Sequence, residues 1–502
     1  MTPTTTTNLA ALLWAAAERD GAATALVDGP VTVRYGGLRL RAAGIASRLR
    51  QLSVAPGDRV AVFLERGPDA VACVFGILAA GGISIVINER LRPRQIEHVL
   101  ANSGASLLLT ARDMLARQPR SLETRARITD VADVLCDGSD SPLPRTEADP
   151  AVIIYTSGTT GLPKGVVLTH ANLSTGVGIV ARYLGLRADD RVASLLSLST
   201  VYGINQLLSS VTVGATLLLE RSPLASQIVA DLRAQDVTVM AGVPPLWLQL
   251  LSVPDFRDRP IPTLRQMQNA GGHLPTEAAR RLRQAQPQSD LILQYGMTEV
   301  IRTTYLSPAE VDRRPDSMGR PMPGIEVLVV RDDGTLCAPG EIGELVHCGP
   351  TVAAGYWNNP DATARVFRPH PLRPESGERA VYSGDMVRRD AEGFLYFVSR
   401  RDRMIKTMGF RVGPDEVADV LHASGEIVEA VVTSEPDSGR GEAIVAYVVL
   451  RPGGSVERLT RYCRAELPPY MLPSRIMPRD DLPRLPSGKY DVPALKEQSA
   501  ER

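Results

Sequence analysis

The chain has 502 residues, too many for one ordinary hydrophobic core, so two or more domains are expected. Its 56 basic and 56 acidic residues cancel and 44% of it is hydrophobic, which reads as a soluble globular protein with no polybasic stripe for nucleic acid. Five cysteines, at 73, 136, 337, 348 and 463, form no CxxC pair, so a reduced, cytoplasmic protein is expected.

In chain order, Leu9 to Ala17 is apolar, but no basic residue precedes it and Glu18, Arg19 and Asp20 follow. It reads as a first amphipathic helix and not as a signal peptide. An Arg/Ala-rich helix from Leu38 to Leu49 leads to the turn Pro56-Gly57-Asp58 and a strand from Arg59 to Leu64. The uncharged run Ala70 to Ile87 raises the question of a membrane span. Gly81-Gly82 divides it into a helical half and a β-branched half, Ile83 to Ile87, so a buried helix, turn and strand are expected and no span. A helix from Pro93 to Ser103 and a strand from Ser106 to Leu109 repeat the alternation, which predicts a doubly wound α/β sheet. Asp137 to Pro150, rich in Ser, Pro and Asp, is a surface crossing.

Thr156 to Gly165 reads TSGTTGLPKG between the apolar runs 151–155 and 166–168. This is the composition of a strand, an anion-gripping loop and a second strand. Glycines let backbone N–H groups approach an anion, and Thr156, Ser157, Thr159 and Thr160 add hydroxyl donors. It is not the Walker pattern, because Lys164 is followed by Gly165 where that pattern needs Ser or Thr. Beyond it, helices at 172–184, 204–213, 228–235 and 245–251 alternate with strands at 192–196, 215–219 and 237–241, a second α/β subdomain. From Pro321 to Tyr396 short β-rich segments separated by Gly and Pro predict a small barrel or sheet. The last hundred residues, with helix 414–423, strands 427–433 and 443–450 and helix 456–467, form a small α+β domain.

Lysine occurs only at 164, 406, 489 and 496, and arginine supplies every other basic residue. A compact ammonium kept in such a chain marks places where a guanidinium would not serve.

The decapeptide 156–165 resembles the phosphate loop of the adenylate-forming superfamily: acyl-CoA synthetases, aryl-CoA ligases, peptide-synthetase adenylation domains and luciferases. Further segments carry the same resemblance in the same order: NAGGHL at 269–274, QYGMTE at 294–299, YSGD at 382–385, SRRDRMIKTMGFR at 399–411 and LPRLPSGKYDV at 482–492. GELV at 343–346 and GYWNNP at 355–360 agree with it and are expected to be structural. His170 is expected to be a packing residue and not a catalyst. One departure is Ser399, where relatives usually have glycine.

The resemblance implies a large N-terminal domain, residues 1–401, of two doubly wound α/β subdomains plus a small β-barrel-like subdomain. A small mobile α+β domain, 402–502, would follow. It implies an AMP-forming ligase that activates a carboxylic acid with ATP and Mg²⁺ and passes it to a thiol of CoA or a carrier protein. Thr156, Ser157, Gly158, Thr159, Thr160, Gly161 and Lys164 would hold the phosphates. Gly271, Gly272 and Tyr295 would face adenine, and Asp385 and Arg400 the ribose. Thr298 would lie near the α-phosphate, Glu299 on Mg²⁺, and Lys489 would be the catalytic lysine. Asp402 would be the hinge, with Lys406 and Gly409 along the thiol's path. Thr200, Val201, Tyr202, Gly203, His273, Gly296 and Met297 would line the acyl pocket.

Two other readings compete. A stand-alone amino-acid adenylation enzyme would load a carrier in trans, since the chain ends soon after Lys489; a non-catalytic acyl or nucleotide binder would need none of Lys489, Glu299 and Asp385. Amino-acid-activating relatives place an aspartate in the segment equivalent to 194–213, and many acyl-CoA ligases a histidine near Thr200. This chain has neither, so an uncharged or hydroxylated acyl or aryl acid is expected in preference to a free α-amino acid.

Overall fold

A computed structural model describes residues 8–118, 120–156, 163–401, 403, 405–407, 410–437, 441–467, 469–485 and 488–500, with the backbone alone for residues 406, 410, 411, 416, 441 and 498–500. The phosphate-loop residues Ser157, Gly158, Thr159, Thr160 and Gly161, the hinge residue Asp402, Gly409 and the Lys406 side chain therefore lie outside the described residues.

The first sheet has seven strands. Arg59–Phe63, Ile83–Val86, Leu107–Thr110, Arg127–Asp130 and Pro150–Thr156 are parallel, and Lys164–Thr169 turns back antiparallel onto Pro150–Thr156. Helix Pro68–Ala79 is apolar all round and all but its first two residues are buried, because it lies between this sheet and helix Tyr35–Gln51. The approach is close: a Cβ at Gly76 would meet Ile45 Cγ2 at 2.6 Å. Each fully buried Val, Leu, Ile or Phe there contributes roughly 1.5–3 kcal/mol. The uncharged run is thus core, and no described helix is long and apolar enough to cross a membrane.

Beside the antiparallel edge strand Val31–Arg34, the second sheet has six parallel strands, in the order Thr24–Asp28, Thr216–Leu219, Arg191–Ser194, Val239–Gly242, Gln266–Asn269 and Asp290–Tyr295. Antiparallel strands Thr304–Leu306 and Ser317–Pro321 carry it on to Leu395–Arg400, Arg379–Arg389, Ile342–Cys348 and Glu326–Val330. The β-rich segment expected from Pro321 onward is therefore edge-joined to the second α/β sheet. The C-terminal unit packs helices Pro414–Ala423 and Val456–Glu466 on a sheet of Ile405–Thr407, Phe410–Val412, Gly441–Leu450, Ile427–Asp437 and Arg475–Pro478, around its own apolar core of Val417, Leu421, Ile444 and Leu459.

Capping moves two helix starts earlier than periodicity alone predicts. Thr169 and Asn172 form a reciprocal capping box that starts a helix at His170. Thr200 Oγ accepts from the Gly203 N–H at 3.1 Å and starts Val201–Val213. His170 is fully buried, its Nδ1 accepts the Leu9 N–H at 3.1 Å, and burial pulls its pKa down to about 4, as suits a packing residue.

Candidate active site

The site forms at the carboxyl ends of the parallel strands of the second sheet, the edge where open α/β sheets bind ligands in a cleft. Strand Asp290–Tyr295 ends there in a tight reversal. Thr303 N–H donates to Tyr295 O at 2.9 Å, Ile301 takes a left-handed φ of 67°, and a Cβ at Gly296 would lie 2.8 Å from Arg302 Cα. Only glycine fits position 296, and the reversal pushes Thr298 and Glu299 out at its tip.

Glu299 is fixed from both ends. Its carbonyl accepts from Ala353 N–H at 2.9 Å, and its Oε1 accepts from the Tyr356 hydroxyl at 2.6 Å. Tyr356 comes from the short strand Gly355–Tyr356, which pairs with Val166 and Val167 on strand Lys164–Thr169, the outgoing arm of its hairpin with Pro150–Thr156. Lys164 opens that arm, opposite Thr156 in register, and its Nζ lies 5.5 Å over the Tyr356 ring. Burial, then the Glu299 carboxylate, pushes the Tyr356 phenol well above its ordinary pKa, so it stays a donor. The sequence assigned GYWNNP a structural part; Tyr356 in fact joins Lys164 to Glu299.

A third group forms where strands Arg379–Arg389 and Leu395–Arg400 pair. Antiparallel register sets Asp385 opposite Arg400, and Arg400 Nη1 donates to Asp385 Oδ1 at 2.8 Å. The Tyr295 hydroxyl donates to Asp385 Oδ2, tying this hairpin to the end of strand Asp290–Tyr295. Asp385 is buried, and burial raises its pKa against the lowering pull of Arg400 and Tyr295. Each carboxylate oxygen keeps a second lone pair for a further donor.

Lys489 arrives from the C-terminal unit, on a turn closed by the Leu485 N–H to Lys489 O bond of 2.8 Å, with Gly488 at φ 84°. It remains solvent-accessible yet stands among the cleft's charges. Partial desolvation, then Arg400 and Arg403, hold its ammonium below the usual lysine range, while Asp385 and Glu299 pull it back up.

The residues assigned to the acyl pocket divide. Val201 is buried, Met297 packs against the core, and Gly203 sits so close to Ser197 O that a Cβ would approach to 2.1 Å. Tyr202 donates to Gln268 O at 3.1 Å and lines a cavity behind the cleft. His273 points elsewhere: its Nε2 meets Asp419 Oδ1 of the C-terminal helix Pro414–Ala423 at 2.8 Å. Burial opposes its charge, but the carboxylates of Asp419, Asp415 and Asp316 outweigh it and raise the pKa to about 9. Gly271, at φ 81°, and Gly272 lie at the same exposed turn, against Val243 and Pro244. Arg302, three residues after Glu299, enters the cavity without having been singled out by sequence; its only local signal was its distance from QYGMTE.

Comparison with known proteins identifies the family and the fold. The family model described as AMP-binding enzyme matches residues 13–357, and that of the AMP-binding enzyme C-terminal domain matches residues 416–489. Novobiocin biosynthesis protein H of Streptomyces niveus is 31% identical over 98% of this chain and 83% of its own length. Gramicidin S synthase 2 of Aneurinibacillus migulanus is 30% identical over 92% of this chain, which spans only 10% of that protein. An o-succinylbenzoate coenzyme A synthetase from Bacillus subtilis, solved with ATP and magnesium ion, superposes with a TM-score of 0.86 at 28% identity, covering 97% of this chain and 99% of that one. A benzoate CoA ligase from Burkholderia xenovorans LB400 does so with a TM-score of 0.87, also at 28% identity, with 97% and 99% covered.

Proposed function

The chain belongs to the AMP-binding enzyme family, and from that premise we propose that it is an AMP-forming ligase joining a carboxylic acid to a thiol in two steps. In the first, a carboxylate oxygen attacks the α-phosphorus of ATP, the bond to the pyrophosphate oxygen breaks, and an acyl-adenylate remains. In the second, the sulfur of CoA or of a carrier's phosphopantetheine attacks the acyl carbon, AMP leaves, and the thiol's proton passes to solvent.

The observation that carries this reading is the convergence of Lys489 on Asp385, Glu299 and Arg400 from a separately cored C-terminal unit. Two anions must meet in the first step, and an ammonium bridging acid and α-phosphate is better matched to the transition state than to either reactant. Asp385 and Arg400 take the ribose, and Tyr295, Gly271 and Gly272 the adenine. Thr298 takes the α-phosphate, and Lys164 with Thr156, Ser157, Gly158, Thr159, Thr160 and Gly161 the β- and γ-phosphates. Among the described residues only Tyr356 hydrogen-bonds the Glu299 carboxylate, so a hard oxygen of the kind Mg²⁺ requires is available at Oε2. Bound there, Mg²⁺ supplies positive charge against the departing pyrophosphate. In the second step residues 402–502 turn about Asp402 relative to 1–401, bringing the strand of Lys406 and then Gly409 to the thiol.

The alternative, amino-acid adenylation, draws on the likeness to gramicidin S synthase 2. Against it, no aspartate or glutamate is among the residues lining the cavity, and a buried ammonium without a counter-charge is costly. Pyrophosphate release measured over panels of carboxylic and amino acids tests the proposal. Activity with amino acids alone would favour the alternative, and no activity with either panel would favour a non-catalytic binder.

A further inference from the structure

Behind the cleft, helix Val201–Val213 turns a polar face inward. Asn205, Gln206, Ser209 and Ser210, at positions i, i+1, i+4 and i+5, are 1–8% exposed and line one cavity with Arg302 and Tyr202. Among the described residues, both amide atoms of Asn205, Gln206 Oε1 and the hydroxyls of Ser209 and Ser210 have no hydrogen-bond partner. Buried polar atoms are nearly always paired, so four neighbours with orphaned atoms on one helical face mark a place built to receive something.

Arg302 gives the cavity its charge. It is 3% exposed, its Nε donates to Gln294 Oε1 at 3.0 Å, its Nη1 donates to Ile301 O at 3.2 Å, and its guanidinium lies 4.0 Å over the Tyr202 ring. All these partners are neutral. Among the described residues no carboxylate pairs with it, although other buried or half-buried arginines of this chain, such as Arg265 with Asp190 and Arg314 with Asp390, have one. A buried guanidinium without a counter-ion is strongly disfavoured, and its planar fork fits a carboxylate with two hydrogen bonds.

Resting on the proposed acid activation, we infer that the acid carries a second carboxylate, which enters this cavity and pairs with Arg302 while the first carboxylate faces Lys489. Asn205, Ser209 and Ser210 supply further donors around the entering group. The cavity volume is about 10 Å³, no more than one water molecule needs, so the acid is compact and the side chains of Asn205, Gln206 and Arg302 shift to admit its far carboxylate. The segment 194–213 gave no sign of charge; the charge comes from another strand's end, and it is positive.

The test compares short dicarboxylic acids with isosteres ending in a methyl or primary amide, in wild type, R302Q and R302K. Two readouts are used: pyrophosphate release with ATP and Mg²⁺, and the rise in Tm that each acid gives without ATP. The wild type should prefer dicarboxylic acids by roughly 100-fold in kcat/KM, a scale usual for a buried charge pair. R302Q should lose that preference chiefly through KM, and R302K should keep part of it. Equal rates for dicarboxylic acids and their neutral isosteres, or a preference unchanged in R302Q, would overturn the inference and leave acid activation standing. A Tm rise with dicarboxylic acids that R302Q lacks, with no pyrophosphate released from any acid, would sustain the anion site and overturn the ligase reading. Loss of every signal in R302Q, with wild type and R302K alike showing no preference for dicarboxylic acids, would show a folding role only and refute the inference.

Discussion

Replacing Lys489 by alanine tests the centre of the proposed chemistry. In this structure the ammonium lies among Asp385, Glu299, Arg400 and Arg403, so the site already mixes two carboxylates with two guanidinium groups. Removing one bridging charge about 4 Å from a developing anion, at an effective dielectric constant of about 20, forfeits on the order of 4 kcal/mol. Arg400 stays in the cleft and offsets part of that, so a loss of roughly 100- to 1,000-fold in adenylation is expected, the range seen for removing a single oxyanion partner. The side chain is solvent-accessible, so its removal should leave Tm nearly unchanged. The assay is split: pyrophosphate release reports the first step, and thioester formation from a synthetic acyl-adenylate reports the second. The first should collapse and the second should hold near the wild-type rate. An equal fall in both would mean that Lys489 supports the fold or the nucleotide site in general, and the role given to it would be wrong.

Three further outcomes follow from the same geometry. Tyr356→Phe keeps the ring under Lys164 but removes the 2.6 Å bond that orients Glu299, so kcat should fall roughly 10- to 100-fold with a raised Mg²⁺ requirement; unchanged Mg²⁺ dependence would count against the pairing. Asp402→Pro stiffens the junction of the two units and should spare pyrophosphate release while crippling thioester formation; equal rates in both steps would remove the hinge. The ionic part of the His273 to Asp419 contact acts only while the imidazole is charged. Its pKa is raised, to about 9, so the attraction is complete below the ordinary histidine value near 6.5 and is lost as pH climbs through about 9. Asp415, Asp316 and His422 also face this ring, so Asp419→Asn should weaken the pH dependence and not abolish it. Interdomain distance followed by fluorescence transfer between pH 7 and 10 checks this, and a flat profile in wild type would refute it.

How much of this was legible in sequence depended on how local each determinant is. The hairpin around residues 156–165 could be read because its composition and both flanking runs lie within 20 residues, and the C-terminal helix Pro414–Ala423 because its apolar face is its own. Strand Thr24–Asp28 could not: its neighbour, Thr216–Leu219, lies some 190 residues on, and five residues of mixed burial carry too little pattern to declare that pairing. Register likewise set Asp385 against Arg400 through a hairpin the motifs implied, whereas Tyr356 reaches Glu299 only because a two-residue strand adds to the edge of the phosphate hairpin. The cavity proposed to receive the acid is the extreme case. Its charge sits on the reversal after Tyr295, its polar face on helix Val201–Val213, and its aromatic wall on Tyr202 of that helix. Read separately, Arg302 is one more arginine in an arginine-rich chain, and Asn205, Gln206, Ser209 and Ser210 are scattered polar residues in an apolar stretch, three of them weak helix formers. Only their convergence gives the arginine neutral surroundings, and a buried cation without a partner is a statement about the ligand that no single segment of the sequence contains.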